Sequence, residues 1–162
     1  MNEFVGAVRT RLADLVVRLR WLAPLLGRLA VGLLFMSTGW GKVHNIEKVT
    51  HFFEQLGIPA PGFNAIFVGY SELICGTLLV LGLFTRLAAI PLMISMMVAI
   101  LTAKRGDLHG PFDLVGFDEF TYWVVLAMVF IIGPGAVSID RLLARQFGWE
   151  LDSTPHALDR KP

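Results

Sequence analysis

A single cysteine occurs in 162 residues. That excludes an internal disulfide framework, a CxxC redox motif and any zinc site built on several thiolates. Cys75 lies in an apolar run, where a thiol more often fills space than acts as a nucleophile. Charge is scarce too. Asp, Glu, Lys and Arg make up 17% of the chain, against roughly 25% in soluble domains. The net charge of +1 provides no broad basic field, so nucleic acid is not an expected partner. The sequence also lacks a Gly-rich phosphate loop, a Ser–His–Asp signature and a dinucleotide-binding fingerprint.

What is abundant is apolar. Hydrophobic residues reach 55% and the mean hydropathy is +0.64. One soluble domain of this size could not hide so much apolar surface, so the bilayer is the expected solvent. Four apolar segments stand out at 22–43, 63–84, 87–103 and 120–137. Each is about 17 to 22 residues long, enough for a helix to cross a hydrocarbon core of roughly 30 Å. None alternates with the period of a barrel strand. The expected fold is all-α: a polytopic membrane four-helix bundle with an N-terminal amphipathic interfacial helix.

Residues 1–20 form that leader. On a helical wheel Phe4, Val5, Val8, Leu12, Leu15, Val16 and Leu19 share one arc, and Glu3, Arg9, Arg11, Asp14, Arg18 and Arg20 fall outside it. Such a helix suits the headgroup plane. A mitochondrial transit peptide shares this pattern and is the weaker reading. The four-span domain is expected over 21–150, and 151–162 reads as a disordered polar tail. Pro24 suits the first turn of the first span. Gly82 is expected to stop the second span and Thr85 to cap the third. Pro91 lies early in the third span. Ser138 can cap a short helix through "IDRLLARQF", with Asp140 near its N-terminus.

Arg9, Arg11, Arg18, Arg20, Arg86, Arg141 and Arg145 fall on one side if there are four crossings. By the positive-inside rule that side is cytoplasmic, giving N-in and C-in termini. His44, His51, His109, Glu47, Asp107 and Asp113 scatter on the other side without metal-ligand spacing, so no metal site is expected. Trp40, Tyr122 and Trp123 fit an aromatic belt. Met93, Met96 and Met97 read as packing.

Two buried stripes carry the interest. Arg28, Gly32, Phe35, Gly39 and Lys42 share one face of the first span, and Gly69, Glu72 and Gly76 share one face of the second. A charge in mid-membrane costs at least about 2.5–3.5 kcal/mol on insertion scales. The stripes are therefore expected to face each other through their glycines. Counting about 1.5 Å per residue puts Glu72 roughly 15 Å below the outer end of its span, with Arg28 one or two turns deeper. Lys42 falls near the outer surface. Arg28 is the expected partner of Glu72, and Lys42 is expected to snorkel outward. The pair can be a structural clamp or a polar site for a proton, a quinone headgroup or another small ligand.

The segments "GRLAVGLLFMSTGWGK", "GYSELICGTLLVLGLFTRLAA", "LHGPFDLVGFDEFTYWVVL" and "GPGAVSID", in this order, carry a resemblance from about Leu25 to Leu142. The chain resembles the DoxX family of small four-helix membrane proteins. The resemblance implies a bundle in the bacterial cytoplasmic membrane and an association with oxidoreductase systems. A sibling group supplies a membrane subunit of thiosulfate:quinone oxidoreductase, and similar proteins partner soluble thiol-redox or superoxide-removing enzymes. By position it points to Arg28, Lys42, Glu72, Arg86, His109, Glu119 and Asp140. With no cysteine pair to relay electrons, a redox step needs a quinone, another bound cofactor or a partner protein.

The leading expectation is a membrane subunit of an oxidoreductase system with no intrinsic cofactor. It would hold a quinone near Arg28 and Glu72, with Glu72, the candidate catalytic residue, moving the proton. The alternative is a non-catalytic anchor that recruits soluble redox or stress-defence partners. A small-solute transporter ranks third, because no inverted repeat is visible. Expected partners are the bilayer, a soluble redox or sulfur-metabolism enzyme and, in a homo-oligomer, further copies of the chain. The orientation makes a prediction. A cysteine placed at Lys48 should react with an impermeant thiol label from outside the cell, and one at Arg145 should not.

Overall fold

The computed structural model describes residues 2–110 and 112–147, without the side chains of residues 2–8, 10 and 147. The polar tail expected at 151–162 and the apolar positions Phe4, Val5 and Val8 of the leader lie outside that description. All regular structure among the described residues is helical: α1 (Asn2–Leu19), α2 (Leu22–Val43), α3 (Ile46–Gln55), α4 (Pro61–Leu81), α5 (Thr85–Thr102), α6 (Asp118–Ile132) and α7 (Ile139–Phe147). Two 3₁₀ turns, Arg105–Asp107 and Asp113–Gly116, lie between α5 and α6.

Helices α2, α4 and α5 are long and apolar enough to cross a membrane. Helix α6 packs beside α5 and α2 as the fourth member of the bundle. Its 15 residues make it only about 22 Å long, the shortest of the four. It stops before the expected residue 137 because Gly133, at φ +85°, and Pro134 end the helical path. Gly82 ends α4 at φ +68°, as its sequence position predicts. Thr85 is not a cap. It is the first residue of α5, and the preceding Phe84 makes no side-chain cap. Ser138 does cap α7, accepting from the Arg141 N–H at 3.2 Å.

Helix α3 lies between the first two expected spans, where no helix is expected. Its acidic and polar residues mask an apolar set, Val49, Phe52 and Phe53, that faces a cavity beside α4 and α5. The bundle core is built by Val31 and Phe35 of α2, Leu79 of α4, Ala88, Ala89, Leu92 and Met96 of α5, and Leu126 and Val129 of α6. Tyr122 meets Phe35 edge to face with centroids 6.4 Å apart, so it serves this packing rather than the expected belt. Leu33, Ile74, Leu87, Ile94, Leu101 and Ile131 remain exposed around the outside. That is the surface of a protein whose solvent is hydrocarbon.

The two glycine stripes do face each other. A methyl group on Gly39 would overlap the backbone of Leu73, and one on Gly76 would lie 2.9 Å from the Gly32 carbonyl oxygen. Lipid tails are as apolar as leucine, so close backbone contact of this kind is a main source of helix pairing. Gly39→Ala and Gly76→Ala are each expected to cost about 1–3 kcal/mol through overpacking. Gly41→Ala, with nothing within 4 Å, should be neutral. Unfolding of the purified proteins in detergent measures the difference.

Candidate ligand site in the bundle

Glu72 is 1% exposed. Its carboxylate is held by side chains from two neighbouring helices. Lys42 of α2 donates from Nζ to Oε1 at 2.5 Å and to Oε2 at 2.6 Å. Thr38, one turn earlier on α2, lies 3.1 Å from Oε2. Ser95 of α5 donates to Oε1 at 3.2 Å. This is the one salt bridge among the described residues. A cation and hydroxyl donors together satisfy a charge that could not stand alone in the bilayer.

The expected Arg28–Glu72 pair is not formed, and Lys42 does not snorkel outward. Helix register is the reason. Gly69 meets Lys42, and Gly39 meets Glu72 and Leu73. Arg28 therefore lies roughly three turns, about 17 Å, further along the axis from Glu72. The expected pairing requires the end of α2 to lie level with the start of α4. In fact α4 projects beyond α2, and α3 covers the projection, with Thr50 beside Gly62.

Arg28 lies in a second polar centre, at the opposite end of the α2–α4 contact. It is 2% exposed and presses against Gly82. Its guanidinium donates to the carbonyl oxygens of Pro134, at 2.5 Å, and Val137, at 2.8 Å. Asp140 accepts from the N–H groups of Phe84 (2.7 Å) and Thr85 (3.0 Å). It thus caps α5, although its sequence position points to α7. Arg86 lies beside Gly133 and reaches toward the Ile131 carbonyl at 3.4 Å. These residues knit the chain after α6 onto the bundle.

His109 and Glu119 join neither centre. The His109 N–H donates to Asp113 in the exposed connection before α6, and Glu119 sits in the first turn of α6. Among the described residues no group of three or more His, Cys, Asp or Glu side chains converges as a metal site would.

A cavity of about 570 Å³ opens beside the Lys42–Glu72 pair, between α3, α4 and α5. Its walls are largely apolar, including Phe52, Phe53, Phe67, Ile94 and Val98. Lys42, Ser71, Glu72 and Ser95 are among the polar residues of the lining, and Lys42 and Ser95 meet at the Glu72 carboxylate. The Lys42 side chain is 30% exposed, so its ammonium can meet a ligand as well as the carboxylate. The volume and the pattern of apolar walls with a few convergent polar groups match small-molecule sites. α3 and Ser95 are elements of the candidate site beyond those expected from the sequence. The apolar spacing Val49, Phe52, Phe53, Leu56 carried the signal for α3.

Fold and site together define a polytopic helical membrane protein with a buried ion pair beside an apolar cavity. The chain belongs to the DoxX family, whose model matches residues 23–105. That range contains Arg28, Lys42, Glu72 and Arg86. The chain is 38% identical over 133 residues to the uncharacterized membrane protein Rv3486 of Mycobacterium tuberculosis, covering 74% of this chain and 80% of the relative. It is 33% identical over 124 residues to the inner membrane protein YphA of Escherichia coli, covering 72% and 87%. A protein of Bacillus subtilis named "Putative oxidoreductase CatD" is 31% identical over 115 residues, covering 71% and 81%. No solved structure matches the chain.

The geometry predicts a specific pattern of coupling. Lys42→Met and Glu72→Gln should show non-additive stability losses, with an interaction energy of about 1–3 kcal/mol. Arg28→Ala and Glu72→Gln should add to within about 0.5 kcal/mol, because they occupy separate centres. Denaturation of the three single and two double variants checks both statements.

Proposed function

We propose that this protein is the membrane subunit of an oxidoreductase system and that the cavity between α3, α4 and α5 binds a quinone. The observation that carries the reading is the Lys42–Glu72 pair at the edge of an apolar cavity rather than sealed in the core. Aromatic and aliphatic walls suit a ring with an isoprenoid tail. The Lys42 ammonium, on a side chain 30% exposed, and the Ser71 hydroxyl suit a carbonyl oxygen. When bound, a quinone supplies two-electron, two-proton interconversion of carbonyl and hydroxyl groups.

Lys42 Nζ would donate a hydrogen bond to the carbonyl oxygen. Glu72 would remain behind it, held by Thr38 and Ser95, and compensate the lysine charge as a proton is passed. The electrons would come from a soluble redox enzyme, since the one cysteine offers no relay. The printed name of the Bacillus subtilis relative, an oxidoreductase, supports this class. The inner membrane name of the Escherichia coli relative and the arginine distribution support a bacterial inner membrane location with both termini cytoplasmic.

Equilibrium binding of decylubiquinone to the purified protein tests the proposal. Wild type should bind. Lys42→Met and Glu72→Gln should fold yet bind at least about tenfold more weakly, the scale of a lost charge-assisted hydrogen bond. A cavity-filling Val98→Trp should also lose binding. No binding by wild type, with variants that lose only stability, would overturn the site and leave the clamp within a non-catalytic anchor.

A further inference from the structure

The second polar centre has a feature that its structural bonds do not exhaust. Arg28 is a nearly fully buried cation whose two hydrogen bonds go to backbone carbonyls, not to a carboxylate. Its Nε has no partner among the described residues. Asp140, the acidic residue of this corner, spends its carboxylate on the α5 N-terminus.

Arg28 lines a groove of about 560 Å³ that also holds Arg141 and Arg145 of α7. These two are one helical turn apart and exposed. Among the described residues no acidic side chain lines the groove. Its remaining surface includes Leu25 and Leu29 of α2 and Leu81 of α4, side chains of the membrane-crossing helices. Three cations thus stand where the apolar surface of α2 and α4 meets the charged helix α7.

We propose that this groove is a binding site for an anionic phospholipid. The phosphodiester would sit between Arg141 and Arg145, facing the Arg28 edge. An acyl chain would lie along the leucines. Charge complementarity selects an anion, since one buried and two exposed positive charges gathered at a membrane surface are relieved by one. The leucine wall selects a lipid over a soluble phosphate, which could use only the arginines. The site is separate from the cavity beside Glu72 and does not depend on its ligand.

Native mass spectrometry of the full-length protein, given equal phosphatidylglycerol and phosphatidylcholine in detergent, tests the proposal. Wild type should retain phosphatidylglycerol preferentially. Arg141→Gln/Arg145→Gln should reduce that preference by roughly an order of magnitude, since each surface arginine contributes several-fold. Both residues are exposed, so the fold should survive, and an unchanged melting temperature in phosphatidylcholine alone would verify it. An undiminished preference in the double variant would overturn the site. So would loss of the preference in Arg18→Gln/Arg20→Gln instead, which would assign it to α1. Equal protection of wild type by glycerol 1-phosphate and by phosphatidylglycerol against thermal unfolding would replace the lipid with a soluble phosphate and overturn the proposal as well.

Discussion

The contact between the α2 and α4 backbones, made where Gly32, Gly39 and Gly76 remove side chains, sets the position of every buried charge. Close approach of two helices leaves little freedom to slide, because a shift of one turn would put Phe35 or Met36 where a glycine now sits. Once Gly39 lies against Glu72 and Leu73 and Gly76 against Met36, Lys42 must arrive beside Glu72. By the same register Arg28 must arrive beside Gly82. A single interface thus delivers two polar centres to opposite ends of the bundle. Neither could be moved without breaking the contact that pairs the helices.

The two centres satisfy their charges in different ways, and the difference bears on function. Arg28 is tied to the carbonyls of Pro134 and Val137, so its partners are part of the chain path after α6. Removing it would free a connection that has few other anchors. Glu72 is held by side chains from α2 and α5. Side chains can rotate where a backbone cannot. The Lys42–Glu72 centre can therefore exchange one partner for a ligand while keeping the others, whereas the Arg28 centre must keep its two carbonyls and can only add.

Much of this was legible in the sequence, for physical reasons. Span-length apolar runs and the spacing of glycines and charges are properties of the helix alone. α2 appears at its expected bounds, and the stripes meet as their spacing requires. The partner of Glu72 was not legible, because the depth of one helix against another depends on the connection between them. That connection contains α3, whose charges on one face disguised a helix covering the projecting end of α4. The role of Asp140 was hidden for a similar reason. Its place at the start of α7 is local, while the N–H groups it binds belong to α5, more than fifty positions away in the chain. Residue type alone places Tyr122 at a membrane surface, whereas its ring belongs to the core through Phe35. In each case the residue was singled out correctly and its partner depended on tertiary register.

The same register accounts for the cavity. α4 spends its glycines on α2, so the face carrying Gly69, Glu72 and Gly76 closes tightly. The neighbouring face, with Asn64, Phe67, Val68 and Ser71, meets α5 without such a stripe. Larger side chains on α4 hold α5 away, and Ser95 and Ala99 are too short to fill the gap. α3 covers the opening with aromatic side chains rather than inserting them as a full layer of core. Glu72 lies at the boundary between the closed face and the open one, and that is why a single carboxylate can both join two helices and border a cavity. A carboxylate serving only to pair α2 with α4 would need no third donor from α5. The Ser95 bond across the cavity side keeps Glu72 satisfied where a ligand would compete for Lys42.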